Sequence, residues 1–242
     1  IDTVTVVGLK NFSDRTVVTY SGLRQGQQIQ VPGEEVSAIL KKLWNLELFS
    51  DVNLYVTDVN NDKIKLEINV EELPTLLNYK INGVKKSKAE DFEKETELSE
   101  GKRLSESFLT NTKNYIENDL KKVGYLNSKV NIVSTPDSIG SNRLNLNINI
   151  DRGERIKIKN ITFSGNEIFG DFKLKSKLKK TKKKFPLRFW KKSKLIESDY
   201  EKDKENLISF YKEKGYRDAR VEFDTIIIND EKTIDIALNI DE

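Results

Sequence analysis

Three runs of the chain alternate apolar and polar residues: Ile64-Lys65-Leu66-Glu67-Ile68-Asn69-Val70-Glu71, Leu144-Asn145-Leu146-Asn147-Ile148-Asn149-Ile150-Asp151 and Ile234-Asp235-Ile236-Ala237-Leu238-Asn239-Ile240-Asp241. A period of two is that of a strand with one buried and one wet face, and only Ala237 departs from it. Each run follows a polar turn, Asn60-Asn61-Asp62, Pro136-Asp137 or Asn229-Asp230, and a strand-like stretch precedes each turn. Three β-hairpins are therefore predicted.

Ahead of each hairpin the period lengthens to that of a helix. Val36, Ile39, Leu40 and Leu43 form one stripe, and Phe108, Thr112, Tyr115, Ile116 and Val123 a second. Tyr200, Lys204, Leu207, Ile208 and Tyr211 form a third, with the aliphatic stem of Lys204 at its margin. Ser198-Asp199-Tyr200-Glu201 and Ser87-Lys88-Ala89-Glu90 have the form of capping boxes, Ser13 and Asp171 are candidate caps, and Gly124 and Gly215 are candidate helix ends. Further upstream each unit opens on a strand that ends near a glycine, Gly8, Gly83 or Gly165. The unit reads β-α-α-β-β three times. The expected fold class is α+β, with modules at 1–73, 74–153 and 154–242, the third carrying a Lys-rich insertion near 173–194. Pro74 and Gly153, which extend a strand poorly, mark the expected bending points between modules.

Composition supports small modules over one large core, since 36% of residues are apolar and 33% charged. No stretch approaches the roughly 18 to 20 apolar residues of a bilayer-spanning helix, and the start lacks a basic-then-apolar signal peptide. Strand-like runs at both ends suggest a fragment of a longer chain. The chain has no cysteine, histidine or methionine, which removes thiol nucleophiles, Cys/His zinc sites and Ser-His-Asp triads. Paired acids such as Glu34-Glu35, Glu71-Glu72 and Asp241-Glu242 fall at element ends, and no phosphate-cradling glycine loop or spaced metal cluster is present. No catalytic residue, cofactor or metal is expected.

The unit resembles the POTRA (polypeptide-transport-associated) domain. The resemblance rests on the turns at Gly8-Leu9-Lys10-Asn11, Gly83-Val84 and Ser164-Gly165-Asn166. It rests also on the joints Leu48-Phe49-Ser50-Asp51-Val52, Gly124-Tyr125-Leu126-Asn127-Ser128-Lys129-Val130 and Gly215-Tyr216-Arg217-Asp218-Ala219-Arg220-Val221. Tandem arrays of this kind are similar to the periplasmic part of the BamA family of outer-membrane protein assembly factors. The resemblance implies three-stranded mixed sheets with two helices on one face, the last strand in the middle and the hairpin's first strand at an edge. It further implies a periplasmic scaffold in a Gram-negative bacterium, attached to an outer-membrane barrel not included in this chain and monomeric as a fragment. The implied partners are unfolded outer-membrane protein clients and accessory assembly lipoproteins. A three-repeat region of a related transporter such as TamA is the alternative within this class.

On that topology an extended client adds as a further strand at an edge, through backbone hydrogen bonds that tolerate many sequences. The candidate edge residues are Val52, Leu54 and Val56; Lys129, Val130 and Ile132; and Arg220, Val221 and Phe223. The glycines, Tyr125, Tyr216 and Phe49 are expected to serve geometry and packing. One segment breaks the repeat: residues 173 to 194 hold 12 of the 42 basic residues and no acid, while the other 30 face all 39 acidic residues. With aromatics interleaved, this insertion is a candidate contact for an anionic membrane surface or an acidic partner, through Lys182, Lys183, Lys184, Phe185, Arg188, Phe189, Trp190 and Lys191. A basic nucleic-acid-binding module is the alternative from another class, but one short run is its sole support and nucleic acid is not an expected partner.

Overall fold

The computed structural model describes residues 1–60, 63–138, 142–183, 194–230 and 232–242. The elements run β1 (Thr3–Val7), α1 (Asp14–Ser21), α2 (Glu34–Trp44), β2 (Phe49–Asn60), β3 (Lys63–Glu72), β4 (Thr75–Asn82), α3 (Lys86–Glu95), α4 (Glu106–Lys122), β5 (Lys129–Pro136), β6 (Arg143–Asp151), β7 (Lys157–Ser164), α5 (Asp171–Lys177), α6 (Glu197–Glu213), β8 (Arg220–Ile228) and β9 (Thr233–Asp241). They build three three-stranded sheets in the orders β1-β3-β2, β4-β6-β5 and β7-β9-β8. This is the α+β architecture expected from the alternating runs, with the last strand central in each sheet. Packing divides the chain into two compact units, Ile1–Thr112 with Ile132–Ile148, and Lys113–Asn131 with Asn149–Glu242. The dividing line passes through α4, β5 and β6.

In the first unit β3 runs parallel to β1 and antiparallel to β2. Its alternation is realised as expected: Leu66, Ile68 and Val70 are buried and pack with Val17 of α1 and Ile39 and Leu43 of α2. Ser13 caps α1 by accepting from the Thr16 N–H. The Ser87 capping box does not form, because α3 already starts at Lys86 with Lys85 at the cap and no side-chain cap bond. The chain at Leu73-Pro74 is hydrogen-bonded on both sides of the peptide. The Leu73 N–H donates to Leu48 O at 2.9 Å, the Leu104 N–H to Pro74 O at 2.8 Å and Asn142 Nδ2 to Leu73 O at 3.2 Å.

The second unit contains the whole β7-β9-β8 sheet, again parallel on one side of the central strand and antiparallel on the other. Ile234, Ile236, Leu238 and Ile240 of β9 pack against Leu174 of α5 and Tyr200, Leu207 and Tyr211 of α6. Phe169 adds ring contacts at 4.9 Å to Phe210 and 5.2 Å to Tyr211. The helices depart from the expected pattern at three points. Tyr115 is 37% exposed. Phe210 and Asp203 of α6 are buried, although neither belongs to the expected stripe. Finally, α6 begins at Glu197, ahead of Ser198, because Leu195 is drawn into the core and the Tyr200 N–H bonds Ile196 O.

The repeat extends to backbone detail. Gly8 and Gly165 both lie at positive φ, +92° and +74°. A Cβ there would fall 1.9 Å from Val70 O and 2.2 Å from Ile240 O, so the close approach of first and last strands requires glycine. The turn that follows is tied to the end of the central strand by a carboxylate in both modules. Glu72 accepts from the backbone N–H groups of Lys10, Asn11 and Phe12 at 2.8 to 3.0 Å, and Glu242 from that of Ile168 at 2.7 Å. In the second unit Asp203 of α6 plays a similar part, accepting from the N–H groups of Lys179, Lys180 and Thr181 at 2.8, 2.8 and 2.6 Å. Burial alone would raise the Glu72 and Asp203 carboxyls, but these backbone donors outweigh it and hold both below their ordinary values of 4.5 and 3.8.

Groups with lowered folded values contribute stability that is complete above the ordinary value and is lost as pH falls through the folded one. Glu72→Gln should therefore cost about 1 to 3 kcal/mol at pH 7. Urea denaturation at pH 7 and pH 3.5 should show the gap between variant and parent narrowing at the lower pH. A constant gap would mean that Glu72 is not held as a carboxylate.

Candidate functional site

A central strand uses its backbone on both sides, so its hydrogen-bond parity decides which groups of an edge strand are left over. In β3, Ile64 O and Leu66 O accept from the Asp2 N–H and Thr5 Oγ1 on the β1 side. Lys65 O and Glu71 O accept from Thr57 and Ser50 hydroxyls on the β2 side. Backbone groups alternate in direction along a strand. Asp51, Asn53 and Tyr55, opposite Glu71, Asn69 and Glu67, therefore bond inward, and Val52, Leu54 and Val56 turn theirs outward. In β9, Lys232 O and Ile236 O accept from the β7 side and Thr233 O accepts from the Asn229 N–H on the β8 side. Phe223, Thr225 and Ile227 then bond inward, and Val221, Asp224, Ile226 and Ile228 face outward.

These parities sort the sequence candidates. Val52, Leu54 and Val56 all lie on the outer edge of the first sheet, Val52 and Leu54 with core-facing side chains and Val56 39% exposed. The Val52 N–H is turned onto Asp51 Oδ1 at 3.0 Å. In the middle sheet the Val130 N–H points away from its neighbours and is bonded by Glu117 Oε1 of α4 at 3.0 Å, so the structure closes that position from within. Lys129 is exposed and Ile132 half-buried on the same strand. In the third sheet Val221 is an outward position. Phe223 spends its backbone on β9 and shows its ring, 58% exposed, on the open face. Arg220 is ion-paired with Asp241 across the hairpin.

The third edge is where the structure adds most. A bulge between Val221 and Phe223 bends β8. Beside the outward positions runs a cleft of about 430 Å³ whose far wall is α6, including Glu201, Lys204, Glu205, Ile208 and Lys212. A second cleft of about 500 Å³ shares Glu201 and Asp224 with it and continues past Ile226 to Lys121 and Lys122 of α4. Lys204 links the two walls, with its Nζ 2.9 Å from Glu201 Oε1 and 3.4 Å from Asp224 Oδ1. Burial lowers Lys204 less than these two carboxylates raise it, so it stays charged. Ile226, Ile227 and Ile228 are 41%, 49% and 63% exposed. Asp224 and Ile226 fall within the expected edge strand, Ala219 to Ile226, but alternation alone does not say which of its N–H groups point outward.

Of the contact candidates in the insertion, Lys182 and Lys183 are described and line a cleft with Lys175, Asn160 and Thr162. Lys184, Phe185, Arg188, Phe189, Trp190 and Lys191 lie outside the described residues. Gly124 and Gly215 both adopt positive φ, and Phe49 is buried. Tyr216 packs half-buried against the third core, and Tyr125 sits 4.8 Å from the Arg155 guanidinium.

The POTRA family model, described as surface antigen variable number repeat, matches residues 74–153 and 156–242. The outer membrane protein assembly factor BamA of Neisseria meningitidis serogroup B is 29% identical over 235 residues, 96% of this chain and 28% of that protein. A putative outer membrane protein assembly factor of Treponema pallidum is 27% identical over 186 residues, 76% of this chain and 21% of its own length. The chain thus spans about a quarter of the length of these relatives. Among solved structures, the N-terminal domain of Omp85 from Thermosynechococcus elongatus aligns over 99% of this chain and 95% of its own, with a TM-score of 0.49 and 14% identity. POTRA3-5 of Haemophilus influenzae BamA aligns over 100% and 96%, with a TM-score of 0.40 and 18% identity. With most of its length matched by the family model and its β-α-α-β-β unit built three times over, the chain belongs to the POTRA family.

Proposed function

We propose that this chain is the periplasmic, client-handling part of an outer-membrane protein assembly factor, made of three modules at 1–73, 74–153 and 154–242. Its role is to bind and position unfolded outer-membrane proteins and accessory assembly lipoproteins for a membrane-embedded barrel outside these residues. Binding proceeds by strand addition, and β8 is the working edge. The observation that carries this reading is the row of outward backbone groups at Val221, Asp224, Ile226 and Ile228 beside the α6 cleft. A strand added there would bury alternate side chains against Ile208 and the Lys204 stem and set the others beside Phe223 and Ile227. Backbone bonding makes no demand on client sequence, which suits a scaffold for many precursors. The other two edges support the choice of β8, since Asp51 and Glu117 already take the N–H groups of Val52 and Val130.

Proline at an outward edge position removes a donor that the sheet itself does not use. Ile226→Pro should weaken binding of an unfolded outer-membrane barrel precursor about tenfold, the equivalent of about 1.4 kcal/mol. Fluorescence anisotropy of the labelled precursor would read the loss, with far-UV circular dichroism unchanged. Equal binding by a folded variant would remove β8 as the edge. Glu117→Ala should free the Val130 N–H and speed its hydrogen exchange about tenfold, as expected for loss of a charge-assisted bond. An unchanged rate would show that Glu117 does not close that edge.

A further inference from the structure

The groove beside β8 has a charge pattern that backbone bonding alone does not use. Along α6, Glu197, Glu201 and Glu205 recur every fourth residue, about 6 Å apart on one face. All three line the clefts beside β8. From Glu197 to Lys212 on α6 the facing residues of β8 run from Ile226 back to Val221, so helix and strand lie side by side in opposite directions. Asp224, Ile226 and Ile228 pair with the core residues Leu238, Ile236 and Ile234 of β9 and so carry their side chains on the helix face. A client residue laid opposite them points the same way. Side chains on one face of an extended strand recur about every 6.6 Å, close to the spacing of the glutamates.

The charge along the groove is uneven. Beside residues 221 to 224 it is lined by Glu201, Glu205, Glu222 and Asp224 against Lys204 and Lys212. Among the described residues Glu205 has no ion pair or side-chain hydrogen bond. Toward Ile226, Lys121 and Lys122 of α4 stand against Glu197, so the excess of negative charge is confined to the stretch around Glu201 and Glu205. A cation is already seated in that stretch. Lys204 Nζ lies 2.9 Å from Glu201 Oε1, 3.4 Å from Asp224 Oδ1 and 4.9 Å from the centroid of the Tyr200 ring. Tyr200 is 3% exposed, and its hydroxyl beside Asp224 has no partner at bonding geometry. A buried wall with an unused acceptor oxygen suits a donor supplied from outside. We propose that the β8 groove selects extended segments that carry lysine or arginine at a position facing α6, with Glu201 and Glu205 as the residues that set the preference. This rests on strand addition at β8. The chain as a whole has a net charge of +3, which favours acidic ligands at long range, so a preference for basic segments has to arise in the groove itself.

The test uses the whole 242-residue chain and labelled peptides of 9 residues, the length of β8. The peptides alternate valine and threonine and differ at one central valine position, which holds lysine, glutamine or glutamate. Fluorescence anisotropy is read at about 0.1 M salt, where charges within about 10 Å still act on one another. The lysine peptide should bind about fivefold or more tightly than the glutamate peptide, with glutamine between them, and Glu201→Gln with Glu205→Gln should reduce that ratio to less than about twofold. Glu205→Gln alone, which leaves the Lys204 pairs in place, should move the ratio in the same direction. Glu34→Gln with Glu35→Gln, the same charge change on exposed residues of α2, should leave it intact. Ile226→Pro should weaken all three peptides together. Equal affinities for the lysine and glutamate peptides, all lowered by Ile226→Pro, would overturn the preference and leave strand addition standing. A preference that persists in the folded Glu201, Glu205 variant would also overturn it. Binding that Ile226→Pro leaves untouched would remove strand addition at β8 and this inference with it.

Discussion

The structure depends on one constraint: in each module the last strand lies between the other two. A central strand must satisfy hydrogen bonds on both sides, one ladder parallel and one antiparallel in the sheets of β3 and β9. That placement puts the hairpin's first strand at the margin and gives it an alternate set of unused backbone groups. It also brings the central strand's end against the turn that follows the first strand. At that contact only glycine fits at Gly8 and Gly165, and Glu72 and Glu242 bind the next backbone amides.

The equivalence between modules shows which features belong to the fold and which to single copies. Glu72 and Glu242 occupy matching ends of β3 and β9, while Arg152 stands at the corresponding place after β6. Asp203 corresponds to Thr112 when the helices are aligned on Gly124 and Gly215, and its three backbone bonds hold the chain that leaves α5. The edges differ in the same way. Val52, Val130 and Val221 are matched positions, yet carboxylates from different places, Asp51 and Glu117, take the first two N–H groups. A shared backbone template thus carries three unlike edges.

Electrostatics are local. Outside the insertion acidic residues outnumber basic ones, and exposed pairs such as Lys65 with Asp58 and Lys102 with Glu97 fall in the range where an ion pair is worth little. The carboxylates that matter, Glu72 and Asp203, are themselves buried and bind backbone amides of the turns beside them, where an unpaired charge would be costly.

The sequence by itself determined the number of modules, the order of their elements and the residues facing each core. Those depend on local periodicity: Leu66, Ile68 and Val70, like Ile234, Ile236 and Leu238, alternate because a half-buried strand requires it. It also marked the glycine turns and the charge of the insertion, since both are statements about composition at a point. It did not place Asp203 or Phe210 in the core, because a buried carboxylate needs donors from 20 or more residues away, here the N–H groups at 179 to 181. Nor did it separate Phe223 from Asp224 and Ile226 as edge positions. The direction of an N–H group depends on the hydrogen-bond parity of the neighbouring strand, and only the tertiary structure decides which neighbour a strand has.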